Sequence, residues 1–280
     1  MRPNTPHFVV TPKAAICHGG HFYATSTIRD TVFGVFHMFS LSKAITNTEH
    51  TLDSRLLLQR LIVYFHHAFV RGQFDPQSSG LPSPHVPDVR TLEGTLDLFL
   101  LCIVGELGDF LDVTAYAKEY MDDRAREKKQ LNTIYTRGLA RELLLWWRGL
   151  FMFRGEDDHG VDGAIVFNSM FTHQVKTLVA YKKLAEKREM EPEESACTAV
   201  AFEALTTKHF PFLAHTPMPK GASIKNFNWQ GAYTVIQASA RSRVTSASRS
   251  ECPARTADPS LTKLWLLLSW KDYGAWGNAL

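Results

Sequence analysis

The chain has 280 residues, with 31 Lys and Arg against 28 Asp and Glu, a net charge of +3 and 45% hydrophobic residues. This composition excludes a wholly disordered chain, a collagen-like fibre and a coiled coil. The length is sufficient for one large domain or two small ones. A surplus of +3 over such a length does not predict a nucleic-acid partner, because that requires clustered basic residues.

The cysteines and the apolar runs predict the compartment. No two cysteines form a Cys-x-x-Cys pair, which is typical of a reducing compartment and not of a disulfide scaffold or a zinc ribbon. The four are Cys17, Cys102, Cys197 and Cys252. The longest apolar run, 98–104, is far shorter than the roughly 20 residues of a membrane-spanning helix, and the first residues lack the apolar core of a secretory signal. We therefore expect an intracellular protein, nuclear or cytoplasmic, with no membrane partner.

The N-terminal residues predict a short β structure. Residues 7–11 are β-branched and aromatic, Pro12 and Lys13 turn the chain, and the pattern breaks at Gly19 and Gly20. Two short strands do not form a stable sheet by themselves. We therefore expect residues 1–26 to be the C-terminal strands of a larger β structure.

From residue 27 the apolar residues recur at helical spacing. Two helices are predicted in 27–71. Their apolar faces consist of Ile28, Val32, Val35, Phe36 and Phe39, and of Leu58, Leu61, Ile62, Phe65 and Phe69. Residues 72–90 contain four prolines and three serines, which predicts a linker.

The remainder predicts a helical region, 91–210, followed by an irregular and partly disordered tail, 211–280. Helical patterns are present at 91–120, 124–153, 168–191 and, more briefly, 194–205. Residues 239–260 are rich in Ser and Arg and poor in large apolar residues, which predicts disorder, and 261–276 predict a short helix. The expected fold class is therefore mostly α, with a short β remnant at the N-terminus.

His7 is a candidate metal ligand. It follows a Pro-x-x-Pro turn, Pro3 to Pro6, at the first position of the predicted strand. Such a position gives an imidazole a defined direction and a rigid support. A surface or packed histidine is the alternative interpretation, and the residues alone leave both open.

The segment around His7 resembles the last strands of the JmjC domain, particularly in the JmjC lysine demethylases and in the JmjC-like proteins of mushroom-forming fungi. The likeness covers roughly the first 45 residues. The matching stretches are, in order, Pro3-Asn4-Thr5-Pro6-His7, Val10-Thr11-Pro12 and Gly19-Gly20-His21-Phe22, followed by Thr46-Asn47-Thr48-Glu49-His50.

This resemblance implies the end of a cupin-type jelly roll from an oxygenase that depends on Fe(II) and 2-oxoglutarate. The family holds iron with two His and one carboxylate, and His7 matches the later His. The family's His-x-Asp/Glu pair and its 2-oxoglutarate-binding Lys and Thr lie upstream of that position, and none of the 12 His here has an acidic residue two positions on. We therefore expect the C-terminal part of a lysine demethylase or hydroxylase, catalytically incomplete as this chain, whose intact relatives act on protein or chromatin.

Several other clusters have both a chemical and a structural interpretation. Adjacent histidines on a helix point in different directions, so His66 and His67 do not form a chelating pair. A metal site or a plain structural role remains open for His18 with His21 and for Glu156-Asp157-Asp158-His159. His85 with Asp88 and His159 with Asp162 do not match the family's iron-binding pair, because in each the carboxylate lies three positions after the histidine and not two.

Two further groups are not metal candidates. Trp146 and Trp147 are expected to be helix core. A group of arginines among serines is compatible with nucleic-acid contact, with phosphorylation nearby, or with a flexible tail. These arginines are Arg241, Arg243, Arg249 and Arg255.

Two hypotheses of function follow. The first is an enzyme class, the oxygenase described above, with Fe(II) and 2-oxoglutarate as cofactors of the intact family. The second is a non-enzymatic helical interaction or scaffold module with a vestigial jelly-roll end, since apolar helix faces without a catalytic motif fit it equally well.

Overall fold

The structure is a computed structural model that describes residues 10, 12–13, 24–41, 52–72, 85–112, 116, 123–155, 160–188, 197–214 and 233–237. Within these residues the helices are α1 (Ile28–Leu41), α2 (Leu52–Phe69), α3 (Leu92–Leu107), α4 (Asp123–Leu150), α5 (Gly163–Lys187) and α6 (Ala199–His209). The strands are β1 (Phe151–Gly155), β2 (Gly160–Val161) and β3 (Tyr233–Gln237), and single 3-10 turns are formed by Thr25–Thr27, Gly108–Leu111 and Pro211–Ala214. For the described residues, the prediction of a mostly helical fold is confirmed.

The two helices predicted in 27–71 bury the faces that their spacing indicates. Val32 and Phe36 of α1 and Phe65 of α2 have 0% of their surface exposed. An apolar stripe at steps of three and four residues is buried as a unit when a helix packs on its neighbours. The spacing therefore predicted both helices and most of their buried residues, although Leu61 and Phe69 of α2 are only partly buried.

Side-chain caps determine where three of the later helices begin. Thr91, Asp162 and Thr198 each accept a hydrogen bond from a backbone N–H in the first turn of α3, α5 and α6. Caps of this kind satisfy donors that the helix itself leaves without partners. The predicted starts at 168 and 194 are therefore wrong by about five residues.

The end of α3 also differs from the prediction. A helix extending to residue 120 was expected, but α3 ends at Leu107 because Gly108 has φ 38°. This positive φ is readily adopted only by a residue without a Cβ atom. The chain continues as a 3-10 turn as far as Leu111.

A three-stranded antiparallel sheet, in the order β2-β1-β3, begins where α4 ends. The prediction of a helix across 124–153 is wrong at this point, because α4 stops at Leu150 and the next residues form β1. Phe151 and Phe153 alternate inward, with 7% and 0% of their surface exposed, and β1 pairs with β3 along all five of its residues. The partner β3 lies within 211–280, where irregular structure was expected.

One hydrophobic core joins the helices of 27–71 to those of 91–210. The helix α3 lies at its centre, and every residue from Leu98 to Ile103 is 0% exposed. It contacts α1, α2 and α4 as well as β3. Val86 and Val89, from the predicted linker, are also buried in this core.

Several predictions concern residues outside the described part of the chain. They include almost all of the proposed β remnant in 1–26, the disorder expected at 239–260 and the short helix expected at 261–276. Among the helices that the structure does describe, none combines the length and the apolar character needed to cross a membrane.

Candidate functional site

A cavity of about 340 Å³ lies between α3, α4, α5 and the segment that follows α6. Its walls are mainly aromatic, and they are formed by Phe99, Phe167, Phe171, Phe210 and Phe212 together with Leu144 and Leu145. The ring centroids of Phe171 and Phe210 are 4.6 Å apart and those of Phe171 and Phe212 are 5.5 Å apart. The rings thus form one continuous apolar surface.

Helical spacing explains how α4 and α5 supply opposite walls. On α5, Ala164, Phe167 and Phe171 are three and four residues apart, so they lie on one face. On α4, Arg141, Leu145 and Arg148 have the same spacing and also line the cavity. The side chain of Leu145 is exposed at the mouth, with 62% of the residue's surface accessible.

An ion pair between buried Glu106 and exposed Arg141 lies among the residues that line the cavity. The carboxylate of Glu106, near the end of α3, is only 6% exposed and accepts hydrogen bonds from Nε and Nη2 of Arg141 at 2.6 and 3.0 Å. This bidentate contact raises the pKa of the Arg141 guanidinium. A buried carboxylate requires such a partner, so Glu106 holds Arg141 in place.

A second bidentate pair holds Arg148, which also lines the cavity. Nε and Nη2 of Arg148 donate to the two carboxylate oxygens of Asp162 at 2.8 and 2.7 Å, and the backbone N–H of Ala164 also donates to Asp162. Burial raises the pKa of Asp162, but these hydrogen bonds outweigh it, and the net pKa lies below the ordinary value. Asp162 therefore serves as the α5 cap and the partner of Arg148.

The cavity walls offer apolar contact and hydrogen-bond donors. Cys102 lies four residues before Glu106 on α3 and is fully buried. Its thiol contacts the carbonyl oxygen of Ala140, and burial raises the pKa of the thiol. A thiol in such surroundings is inert as a nucleophile. Within the described ranges, no group of three or more His, Cys, Asp or Glu side chains is placed to hold a metal ion.

The structure places some of the candidates named from the sequence in structural roles. His66 is buried and its Nε2 lies 2.6 Å from Oε2 of Glu142, which ties α2 to α4. Asp88, paired in the sequence with His85, binds the guanidinium of Arg90 at 2.8 Å. Among the described residues, neither His66 nor Asp88 belongs to a group of three or more side chains that could hold a metal ion.

The expectation for the tryptophans is confirmed. Trp147 is 0% exposed and its indole N–H donates to the hydroxyl of Thr95 at 3.1 Å. Trp146 is partly buried and stacks on Phe69. Both are helix core, as predicted.

The remaining candidates lie outside the described residues. They are His7, His18, His21, the Glu156-Asp157-Asp158-His159 cluster and the arginines Arg241, Arg243, Arg249 and Arg255.

The sequence interpretation missed the cavity. The spacing of Phe167 and Phe171 is visible in the sequence, but it is equally typical of an ordinary core face. The pairing of Arg141 with Glu106 joins residues 35 positions apart in the chain. No local pattern signals such a contact.

Comparisons of the chain with protein-family models, curated proteins and solved structures found no match.

Proposed function

We propose that the described helical body is a non-catalytic binding module whose ligand site is the cavity between α4 and α5. The observation that carries this proposal is the aromatic cavity of about 340 Å³ with two ordered arginines at its mouth. Small-molecule sites in proteins are typically concave, mainly apolar, and about 300–1,000 Å³ in volume, with a few well-placed polar groups. This site has each of those properties.

The polar groups at the mouth support binding in particular because they are already ordered. Arg141 and Arg148 are each held by a carboxylate through two hydrogen bonds. Ligand binding therefore does not have to order these long side chains, which lowers its entropic cost. A pre-organised apolar site is what a binding module requires.

Filling the cavity should abolish most of the binding. Ala164 lines the cavity, whereas its neighbour Ile165 is 51% exposed and does not line it. We expect Ala164→Phe to weaken binding of the neutral apolar dye Nile red about tenfold or more, or ~1.4 kcal/mol, as measured by fluorescence titration. The matched control Ile165→Phe should bind the dye as the unmodified chain does.

Thermal unfolding of both variants checks that each is folded. Equal dye affinity in Ala164→Phe and Ile165→Phe would contradict the assignment of the cavity as the binding site.

A second function is favoured by the sequence around His7. Its match to the JmjC pattern supports descent from an oxygenase that uses Fe(II) and 2-oxoglutarate, with a lysine of a protein or of chromatin as the substrate class. His7 would then be the later iron ligand. The described residues do not fit an iron site, so no catalytic step is assigned to them.

The matching motif supplies one of the three iron ligands that this chemistry needs. We therefore expect the purified chain with Fe(II), ascorbate and 2-oxoglutarate to release no succinate above the rate of a protein-free control. The measurement is succinate formation with and without His7→Ala. Turnover that disappears in His7→Ala would show that the chain holds a working iron site.

A further inference from the structure

We propose that the ligand of the cavity is a small apolar monocarboxylic acid, whose apolar part lies among the phenylalanine rings and whose carboxylate lies at the mouth beside Arg141 and Arg148. This inference rests on the proposed binding function and specifies the chemical class of the ligand.

The two arginines at the mouth keep hydrogen-bond donors that their ion pairs do not use. A guanidinium has five N–H groups, and the ion pairs with Glu106 and Asp162 engage only the Nε and Nη2 atoms of each arginine. In the described part of the chain, the Nη1 groups of Arg141 and Arg148 have no such partner. Their side chains are 63% and 37% exposed, so a ligand can reach them.

The two carboxylates nearest to the arginines are already paired with them. Both carboxylate oxygens of Glu106 accept from Arg141, and both oxygens of Asp162 accept from Arg148. A ligand head that accepts hydrogen bonds therefore matches the mouth better than one that donates them. An ammonium head would face two arginines and find both carboxylates engaged.

The donors of the mouth come from both α4 and α5. The two arginines are seven residues apart on α4, so they lie on the same face of that helix. Across the mouth, on α5, the exposed Asn168 also lines the cavity and contributes an amide. Planar guanidinium groups match carboxylates in particular, because parallel N–H groups contact both oxygens.

The size of the cavity favours a small molecule over a peptide. About 340 Å³ is near the lower end of the range for small-molecule sites. A helical peptide instead needs a groove with anchor sites along several turns. One apolar body with a single head is the occupant that fits this volume and this distribution of donors.

The test is displacement of bound Nile red by three ligands with the same ten-carbon body, namely decanoate, decanol and decylamine, at pH 7. We expect decanoate to displace the dye at a concentration about two- to fivefold lower than decanol, the range for a partly exposed charged contact. Decylamine should be the weakest of the three.

The variant Arg148→Met should remove most of the preference for decanoate over decanol. Arg141→Lys, which keeps a positive charge beside buried Glu106, should reduce the preference as well. The matched control is Arg60→Met, at an exposed position on α2 that does not line the cavity, and it should keep the full preference.

The outcomes separate the two proposals. If decanoate and decanol displace the dye equally, the carboxylate assignment is wrong and the apolar site stands. If Arg148→Met and Arg141→Lys both retain the preference, the arginines are not the head-group contacts. If Nile red binding does not respond to Ala164→Phe, the binding function itself is wrong.

Discussion

Replacing Trp147 with alanine is expected to lower the free energy of unfolding by about 3–5 kcal/mol, the usual range for a buried tryptophan. Its indole is 0% exposed, and its ring centroid lies 5.2 Å from that of Phe99 and 5.0 Å from that of Phe153. The substitution also leaves the buried hydroxyl of Thr95 without its indole donor. The cavity created would lie where α3, α4 and β1 meet.

The adjacent residue provides the control for this prediction. Trp146 is only partly buried and stacks on Phe69 at a centroid distance of 5.0 Å. Trp146→Ala should therefore cost clearly less than Trp147→Ala when both are measured by urea or guanidinium denaturation. Equal losses would mean that the burial of the two indoles does not decide their contributions.

Acidification from pH 7 to pH 5 is expected to destabilise the protein through two histidines. Burial lowers the pKa of His37 and of His173 from 6.5 to about 4. Between these two pKa values the unfolded chain binds protons that the folded chain does not, so stability falls as the pH falls through this window. Each histidine should contribute a loss of about 2 kcal/mol at pH 5 relative to pH 7.

The control is the double variant His37→Gln/His173→Gln. The quantity to be compared between the two proteins is the change in the free energy of unfolding from pH 7 to pH 5, and not the stability at pH 7 alone. This change should be smaller than in the unmodified chain by about 4 kcal/mol, twice the single-histidine value. The same decline in both proteins would show that other groups cause the acid sensitivity.

Where apolar spacing is regular and the element is long, the sequence was sufficient to predict the helices and their buried faces. The buried faces of α1 and α2, and the core position of Trp147, are examples. The helix starts were less accurate because a cap such as Asp162 sits several residues before the first clear apolar repeat. Propensity and spacing do not locate element boundaries well.

The strand β1 shows a different limit. Its residues, Phe151, Met152 and Phe153, continue an apolar run from α4, and a short run of that kind fits a helix and a strand equally well. Pairing with β3 decides between them. That partner lies in a part of the sequence where Pro, Ser and Arg predicted irregular structure.

The cavity could not be predicted because it depends on the space between elements. Its phenylalanines come from α3, from α5 and from the residues after α6, and each of them taken alone predicts ordinary core. Arg141 and Arg148 are held in place by ion pairs with Glu106 and Asp162, which the fold places beside them. The cavity and the ion pairs both depend on contacts between residues that are distant in the sequence.

The pairing of β1 with β3 also has a consequence for the order in which the protein folds. The residues that pair are between 78 and 86 positions apart, from Gly155 with Tyr233 to Phe151 with Gln237. Contacts over such separations carry a loop-closure cost and form slowly compared with local helical contacts. During synthesis, β1 emerges long before β3, so one edge of β1 lacks its strand partner while the helices assemble. That edge presents backbone N–H and C=O groups between Phe151 and Gly155, and the interval before β3 arrives is when the nascent chain is most exposed to pairing with another strand.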